Sequence, residues 1–264
     1  MMSLTCETGA PDGRPFLVQQ EGRPGPAMKP ALYICFGMAK SGSTLAFELT
    51  SAILQAGGVP QPRLGDGAVA PGARINFRQA ITNAHLRQML HEADLLGARP
   101  LAIKTHGGVW GDMERAARDG RITGQVVVRD PRDIACSMLD AGREGRAWGM
   151  RDGVPITSYE QAMAHVRGQL AHVANWRRIL PDAPVIGYED LAFRTRDSAA
   201  LIARQLGFDV DLDAAIALAT SRFTQFNKGI AHRWRHEMPA EDAARYAEEF
   251  ADFIREHDLA PPNA

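Results

Sequence analysis

The stretch GMAKSGST, residues 37–44, lies between the apolar run ALYICF (31–36) and the amphipathic run LAFELTSAILQAG (45–57). A strand, a glycine-rich loop and a helix in this order form the anion-binding start of many parallel α/β folds. The usual phosphate loop reads GxxxxGK[ST]; here Ser43 stands where that lysine belongs, and Lys40 lies inside the loop. The stretch therefore predicts an anion site that differs from an ordinary nucleoside triphosphate site.

Apolar runs of strand length alternate with helical periodicity along the rest of the chain, which is typical of strand-helix-strand units. After the first strand, we expect strands in PLAIKT (100–105), GQVVVRD (124–130) and PVIGYE (184–189). Helices are expected from the loop to Gly57, from Phe77 to Gly97, along the apolar face that starts at Tyr159, and over 243–254. The predicted fold is α/β: a P-loop-like parallel sheet flanked by helices, in three α/β/α layers.

Composition and charge indicate an ordinary globular domain. The 264 residues are 45% hydrophobic and 23% charged, with a net charge of -1, so no overall basic field attracts nucleic acid. Residues 1–29 lack the apolar core of a signal peptide and are predicted to form a disordered tail before one domain over 30–260. No stretch is apolar enough to span a membrane, and three well-separated cysteines suggest neither disulfides nor zinc. We expect a cytoplasmic protein.

Polar side chains stand at the ends of all four expected strands. Lys40 follows the first strand, Lys104 and His106 lie at the end of the second, Arg129 ends the third and Tyr188 ends the fourth. In an open parallel sheet, ligands bind beyond the carboxyl ends of the strands. We therefore expect these five side chains to converge on one edge of the sheet.

His106 is the histidine that sequence alone favours for catalysis, because an imidazole on a loop can take a proton from an acceptor hydroxyl. The other seven histidines, including His165 with His172 and His232 with His236, have helical or basic surroundings that favour packing or solvated roles. The HxxxH spacing of the last pair lacks a third ligand, so no metal site is predicted.

The segment after the third strand decides between two kinds of phosphate chemistry. A magnesium-dependent triphosphate site needs a carboxylate after an apolar strand. Asp130 occupies that position, but it precedes Pro131 and is expected to cap the helix PRDIACSMLDAG (131–142). Arg129 and Ser137 could hold a second phosphate, or Arg129 could simply pair with Asp133.

Together these motifs resemble those of the sulfotransferases that use 3′-phosphoadenosine 5′-phosphosulfate (PAPS). The family patterns PKSGTTW, KTH, VxRNPxDxxxS, YED and RKG followed by tryptophan are similar to AKSGSTL (39–45), KTH (104–106), VVRDPRDIACS (127–137), YED (188–190) and NKGIAHRW (227–234). The likeness runs from about Ala31 to the last helix. Several ordered motifs at such intervals are far more specific than any one of them.

The resemblance implies a role for individual residues. His106 would be the general base and Lys104 a charge stabiliser. The 5′-phosphosulfate would be held by Lys40, Ser41, Gly42, Ser43 and Thr44, the 3′-phosphate by Arg129, Ser137, Lys228 and Gly229, and the adenine by Tyr188 and Phe223. The sequence departs from the family pattern at Leu45 (tryptophan), Asp130 (asparagine) and Asn227 (arginine), and Arg222, Arg233 and Arg235 are candidates to replace that arginine.

The resemblance implies in-line transfer of a sulfuryl group from PAPS, without a metal, to a hydroxyl or amine on a small-molecule or glycan-type acceptor. Lys40, inside the loop, would face the bond between phosphate and sulfate. Two alternatives stay open: a small-molecule kinase using ATP and magnesium, and a nucleotide-binding protein without catalysis. The candidate binding loops are 57–74, 141–157 and 220–239, which are rich in glycine, proline and arginine.

Overall fold

A computed structural model describes residues 30–97, 99–146, 150–151, 154–222 and 229–259. The predicted tail over 1–29 lies outside these residues, as do Phe223, Asn227 and Lys228. The proposed domain boundaries at 30 and 260 stay a prediction.

The strands form a five-stranded parallel sheet and a small antiparallel hairpin within the described residues. In chain order they are β1 (Leu32–Gly37), β2 (Phe77–Arg78), β3 (Leu101–Thr105), β4 (Ile122–Val128), β5 (Met150–Arg151), β6 (Val154–Pro155) and β7 (Val185–Gly187). The large sheet has the order β2-β3-β1-β4-β7, and β5 pairs with β6. All four predicted strands are thus confirmed, and β1 lies at the centre of the sheet.

Eleven helices surround the sheet in the described part of the chain. They are α1 (Ser43–Ala56), α2 (Asn83–Leu96), α3 (Met113–Arg118), α4 (Pro131–Arg143), α5 (Tyr159–Ile179), α6 (Tyr188–Phe193), α7 (Thr195–Leu206), α8 (Leu212–Arg222), α9 (Trp234–Glu237), α10 (Ala240–Glu249) and α11 (Ala251–Glu256). The helix predicted after the loop ends at Gly57, as expected, and the apolar face that starts at Tyr159 belongs to α5.

The side chains of β1 alternate between two apolar layers, because successive residues of a strand point to opposite faces. Tyr33 and Cys35 pack towards α1, while Phe36 stacks on Trp176 of α5 with ring centroids 5.8 Å apart. Helices α7 and α8 join α1 on the first face, and α4 and α5 cover the second. The predicted three-layer α/β/α architecture is confirmed.

Two predicted helices differ in the structure. The helix expected from Phe77 begins only at Asn83, because Phe77 and Arg78 pair with β3 as the edge strand β2. Thr82 and His85 form a capping box at its start, which fixes the boundary. The helix expected over 243–254 is divided into α10 and α11 at the buried Phe250. The loop expected over 141–157 contains the β5–β6 hairpin.

Gly124 provides a test of the β1–β4 pairing. A Cβ atom at position 124 would overlap the backbone carbonyl oxygen of Ile34, so an alanine there would push the two central strands apart. We expect Gly124→Ala to lower the free energy of unfolding by about 1–3 kcal/mol, the usual scale for an overpacked core, in urea denaturation. Gly187→Ala is the control, because the nearest atom to its Cβ would be 3.5 Å away. Equal losses in the two variants would contradict this packing.

Candidate active site

The loop between β1 and α1 has the backbone of an anion site. Lys40 and Gly42 both adopt the left-handed conformation, with φ of 70° and 83°. A non-glycine residue with positive φ is uncommon, and such turns direct successive backbone N–H groups inward. Gly42, the residue before α1, has no side chain that could cap the helix, so the positive end of α1 faces the loop. The hydroxyl of Ser41 donates to the carbonyl oxygen of Met38 at 2.6 Å and closes the loop from within.

Two neighbouring strand ends are tied to this loop by hydrogen bonds. The Nδ1 atom of His106, after β3, lies 2.6 Å from the carbonyl oxygen of Gly37. The Nη1 atom of Arg129, after β4, donates to the carbonyl oxygen of Lys40 at 3.1 Å. The guanidinium of Arg129 also lies 3.7 Å from the ring centroid of Tyr188, at the end of β7. The structure thus brings the predicted strand-end residues to one edge of the sheet.

His106 has a defined tautomer. A carbonyl oxygen only accepts, so Nδ1 carries the proton that bonds to Gly37, and Nε2 keeps a free lone pair. Burial, followed by the positive charge of Lys104, lowers the pKa of His106 to about 3, so the ring is neutral at physiological pH. The next residue is fixed as well, because Trp176 Nε1 donates to the carbonyl oxygen of Gly107 at 2.9 Å. His106 is therefore an anchored imidazole that can accept a proton at Nε2.

Two ammonium groups share the site with His106. Burial, together with the charges of Arg146 and Arg129, lowers the pKa of Lys40 to about 8. Burial also lowers the pKa of Lys104 to about 8, with a further contribution from Lys40. Burial is the largest cause of both shifts and neighbouring cations add to it, so an anion bound here would favour the charged form of both lysines.

Phe77 is a site residue that sequence reasoning placed in the wrong element. Its ring centroid lies 4.9 Å from Lys104 Nζ and 5.6 Å from the ring of His106, so it packs both side chains. The wrong assignment arose because Phe77 and Ile81 have a helical spacing. The sequence did contain an indication of β2. The methylene stem of Lys104 in β3 needs an apolar side chain beside it, and Phe77, which pairs with Lys104 on the edge strand β2, provides that side chain.

Arg129 is more tightly held than a surface arginine. Its Nη2 atom donates to Asp133 Oδ2 at 3.3 Å and to the carbonyl oxygen of Ile230 at 2.9 Å, and the side chain is 6% exposed. The pairing with Asp133, which sequence left open, is therefore present. Its Nε atom is buried without a partner among the described residues.

The segment that begins at Gly229 folds over this arginine. The carboxylate of Asp133 accepts from the backbone N–H groups of His232 at 2.9 Å and Trp234 at 3.1 Å. Gly229, with φ of 64°, directs the chain into this contact. Ser137 is buried on α4, the helix that also carries Asp133. Phe223 and Lys228 lie outside the described residues.

The predicted cap of α4 is confirmed. Asp130 accepts from the backbone N–H of Arg132 at 2.8 Å, and Pro131 occupies the first turn. The side chain of Arg132 also pairs with Asp130 at 2.6 Å, and both groups are buried. The only carboxylate that sequence offered for magnesium is thus bound to an arginine and to the helix start.

Leu45 and the three candidate arginines all pack or pair with other residues of the protein. Leu45 packs against the apolar layer of α7 and α8. Of the arginines suggested as replacements, Arg222 donates to Gln55 at 3.1 Å, Arg233 pairs with Asp140 at 2.6 Å and with Glu237, and Arg235 lies beside the Trp234 ring. Arg233 is therefore committed to two carboxylates.

A cavity of about 230 Å³ opens beside His106. It is lined by Ala39, Gln79, His106, Ala164, His165, Gly168, Gln169 and His172. His165 and His172, for which packing or solvated roles are predicted, both border this cavity. Together with Gln169 they follow an i, i+4, i+7 spacing on α5, a polar stripe that was visible in the sequence.

A second depression, of about 500 Å³, lies between α5 and α10 and does not touch the loop. Arg167 and Glu249, which form an ion pair at 2.5 Å, are among its lining residues. In the described ranges, no group of three or more histidine, cysteine or acidic side chains could hold a metal ion. No helix of the same residues is long and apolar enough to cross a membrane.

Comparison with known proteins supports the fold. No family model and no curated protein matches the sequence. Among solved structures, retinol dehydratase in complex with androsterone and the inactive cofactor PAP is similar at 18% identity and a TM-score of 0.55, covering 90% of this chain and 84% of that one. Mouse sulfotransferase SULT7A1 complexed with PAP is similar at 17% identity and a TM-score of 0.54, covering 87% and 86%. This chain therefore has the fold of the PAPS-dependent sulfotransferases.

The two lysines of the site can be tested directly, because the sequence contains only four lysines. In an NMR titration of protein labelled at lysine Cε, we expect Lys40 and Lys104 to titrate near pH 8. Adenosine 3′,5′-bisphosphate should raise both pKa values, because a nearby anion favours the charged ammonium. Its affinity should consequently fall as the pH rises above about 8, where both lysines of the ligand-free protein lose their protons.

The variants Lys40→Met and Lys104→Met assign the two NMR signals, because each variant lacks the signal of the lysine that it replaces. Titration of both lysines near the ordinary value of about 10.4, with no response to the bisphosphate, would contradict the crowded cationic site.

Proposed function

We propose that this chain transfers a sulfuryl group from PAPS to a hydroxyl or amine acceptor. The observation that carries the proposal is the hydrogen bond of His106 to Gly37, which places a neutral imidazole with a free Nε2 lone pair beside an anion loop. The fold shared with sulfotransferases solved with PAP supports it. In this proposal residues 30–260 form the catalytic domain, and the protein is cytoplasmic.

The residues present fit PAPS, which supplies an activated sulfuryl group on a phosphate oxygen. The left-handed loop, the two lysines of lowered pKa and the unpartnered Nε of Arg129 are what a nucleotide with two anionic ends requires. The 5′ end would be held by Lys40, Ser41, Gly42, Ser43 and Thr44, the 3′-phosphate by Arg129, Ser137, Lys228 and Gly229, and the adenine by Tyr188 and Phe223. Ser41 would contribute through the loop that it closes.

The charges beside His106 would affect its strength as a base. Burial is the largest cause of its low pKa, and the charges of Lys104 and Lys40 lower it further. An anion held between these lysines cancels part of that repulsion, so the pKa of His106 rises and Nε2 becomes a better proton acceptor. The acceptor hydroxyl is thus deprotonated most readily when the donor site is filled. Lys40 and Lys104 stabilise the negative charge that develops on the leaving phosphate oxygen.

The kinase alternative needs a carboxylate for magnesium, whereas Asp130 is engaged by Arg132 and by the first turn of α4. A protein without catalysis would not need an imidazole held in one tautomer beside two lysines. These observations favour sulfuryl transfer over both alternatives.

We expect Lys40→Ala and His106→Ala each to lower turnover at least about 100-fold, the usual scale for a lost electrostatic donor or general base. The measurement is mass spectrometry of a metabolite extract incubated with enzyme and PAPS, following the gain of one sulfuryl group. His106→Asn is the matched variant, because its side-chain amide can still donate to Gly37 but cannot act as a base. Near-normal transfer by His106→Asn would remove His106 from the proposed chemistry.

A thermal-shift comparison separates the alternatives. Stabilisation by adenosine 3′,5′-bisphosphate is expected, and stabilisation only by ATP with magnesium would favour the kinase. Binding of the bisphosphate with no transfer to any component of the extract would favour the inactive nucleotide-binding protein.

Ser137→Ala tests the predicted 3′-phosphate site. A hydrogen bond to a charged group contributes about 1.5–3 kcal/mol, so the variant should bind adenosine 3′,5′-bisphosphate roughly 10- to 100-fold more weakly in calorimetry. Its affinity for adenosine 5′-monophosphate, which lacks the 3′-phosphate, should be unchanged. Equal weakening for both ligands would place Ser137 outside the 3′-phosphate site.

A further inference from the structure

We propose that the acceptor is a small, neutral, polyhydroxylated molecule that binds in the cavity beside His106 and accepts a hydrogen bond from Gln169. The inference rests on the proposed sulfuryl transfer and adds the substrate class. It is carried by the chemistry of the cavity wall and by one buried donor that has no partner.

The cavity combines small size with an uncharged wall of mixed polar and apolar surface. Its volume of about 230 Å³ is below the range of about 300–1,000 Å³ that is usual for drug-sized ligands. Three imidazoles and two carboxamides line it, and its described wall contains no carboxylate, lysine or arginine. Lys40 and Lys104 lie close to His106 and would repel a cationic acceptor. The three imidazoles and two carboxamides offer hydrogen-bonding groups to a neutral molecule with several hydroxyl groups.

Gln169 supplies the decisive donor. Its Oε1 atom accepts from the backbone N–H of Ala39 at 2.5 Å. Because that N–H only donates, the oxygen must face the loop, and the amide orientation is fixed. The Nε2 atom is then left buried with no partner among the described residues, on a side chain that is 5% exposed and lines the cavity. A buried donor without a partner is costly, and a ligand oxygen would satisfy it.

Gln169 also contacts both the loop that would hold the sulfuryl donor and the cavity that would hold the acceptor. The same side chain bonds to the loop next to Lys40 and lines the cavity that contains His106. An acceptor oxygen bound to Nε2 would therefore be held between the base and the loop. One hydroxyl could bond to Gln169 while another faces Nε2 of His106, which requires an acceptor with more than one oxygen.

Two glycines after β3 allow polar side chains to line this cavity. A Cβ atom at Gly107 would lie 2.5 Å from the carbonyl oxygen of Gln79, and one at Gly108 would overlap the ring of His172. Both glycines therefore let polar lining residues approach the turn that follows His106. Gly168, on α5, lines the cavity from the other side, and a Cβ there would meet nothing within 4 Å.

An acceptor panel tests the substrate class. N-acetylglucosamine and myo-inositol are the neutral polyhydroxylated probes, and 2-naphthol and androsterone are the apolar ones. With labelled PAPS, we expect kcat/KM for the better polyhydroxylated probe to exceed that for either apolar probe at least about tenfold, the scale of one well-satisfied polar contact. A preference for the apolar probes, or transfer to none of the four while the bisphosphate binds, would overturn the substrate assignment. Failure to bind the bisphosphate would instead overturn the proposed function.

Substitutions on α5 locate the binding site. Gly168→Leu should lower kcat/KM for the polyhydroxylated probe at least about tenfold by filling the cavity, with bisphosphate affinity unchanged. Gly168→Ala should raise the melting temperature, because alanine favours a helix, and should lower kcat/KM less. Ala171→Leu, on the exposed side of the same helix, is the control. Gly168→Leu with wild-type kcat/KM would show that the acceptor binds elsewhere.

Gln169→Met removes the proposed donor. A neutral hydrogen bond is worth about 0.5–1.5 kcal/mol, so kcat/KM for the polyhydroxylated probe should fall roughly 2- to 12-fold. For an acceptor that lacks the second hydroxyl, kcat/KM should not change. This comparison separates the loss of the hydrogen bond to the acceptor from a displacement of the loop that Gln169 holds at Ala39. An equal loss for both acceptors would overturn the role assigned to Gln169.

Discussion

The hydrogen bond between His106 and Gly37 is the constraint on which the rest of the site depends. It joins the turn after β3 to Gly37, the last residue of β1, so the imidazole and the loop cannot be positioned independently. It also selects the tautomer, because Nδ1 must be the donor. The sheet order makes this bond possible: β1 lies between β3 and β4, so the loop after β1 is flanked by the residues that end both neighbours.

The other side of the loop is held by the buried ion pair of Arg129 and Asp133, both of which also bond to backbone groups. Arg129 bonds to the loop at Lys40 and to Ile230, while its partner Asp133 accepts from two backbone amides of the segment after Gly229. A buried charge is tolerated when it is paired and hydrogen-bonded in this way. The pair thus connects the loop, α4 and the chain after 229, three regions that a nucleotide with two anionic ends would span.

Sequence patterns predicted the features that depend on long or repeated signals. The four principal strands are continuous apolar runs, and α1 and α5 show clear helical periodicity. The edge strand β2 was missed because two residues carry no periodic signal and Phe77 with Ile81 imitates a helix. The cavity was missed for a different reason. The polar stripe that includes Gln169 lies beside the stronger apolar face of α5, and only the turn after β3 shows that this stripe faces His106.

The site couples charge to proton transfer through its own composition. In the free protein, burial is the largest cause of the lowered pKa values of Lys40, Lys104 and His106, and neighbouring cations lower them further. Binding of an anion relieves the lysines and the imidazole together, because all three respond to the same field. In the proposed reaction, His106 would therefore be the stronger base when the donor site is filled.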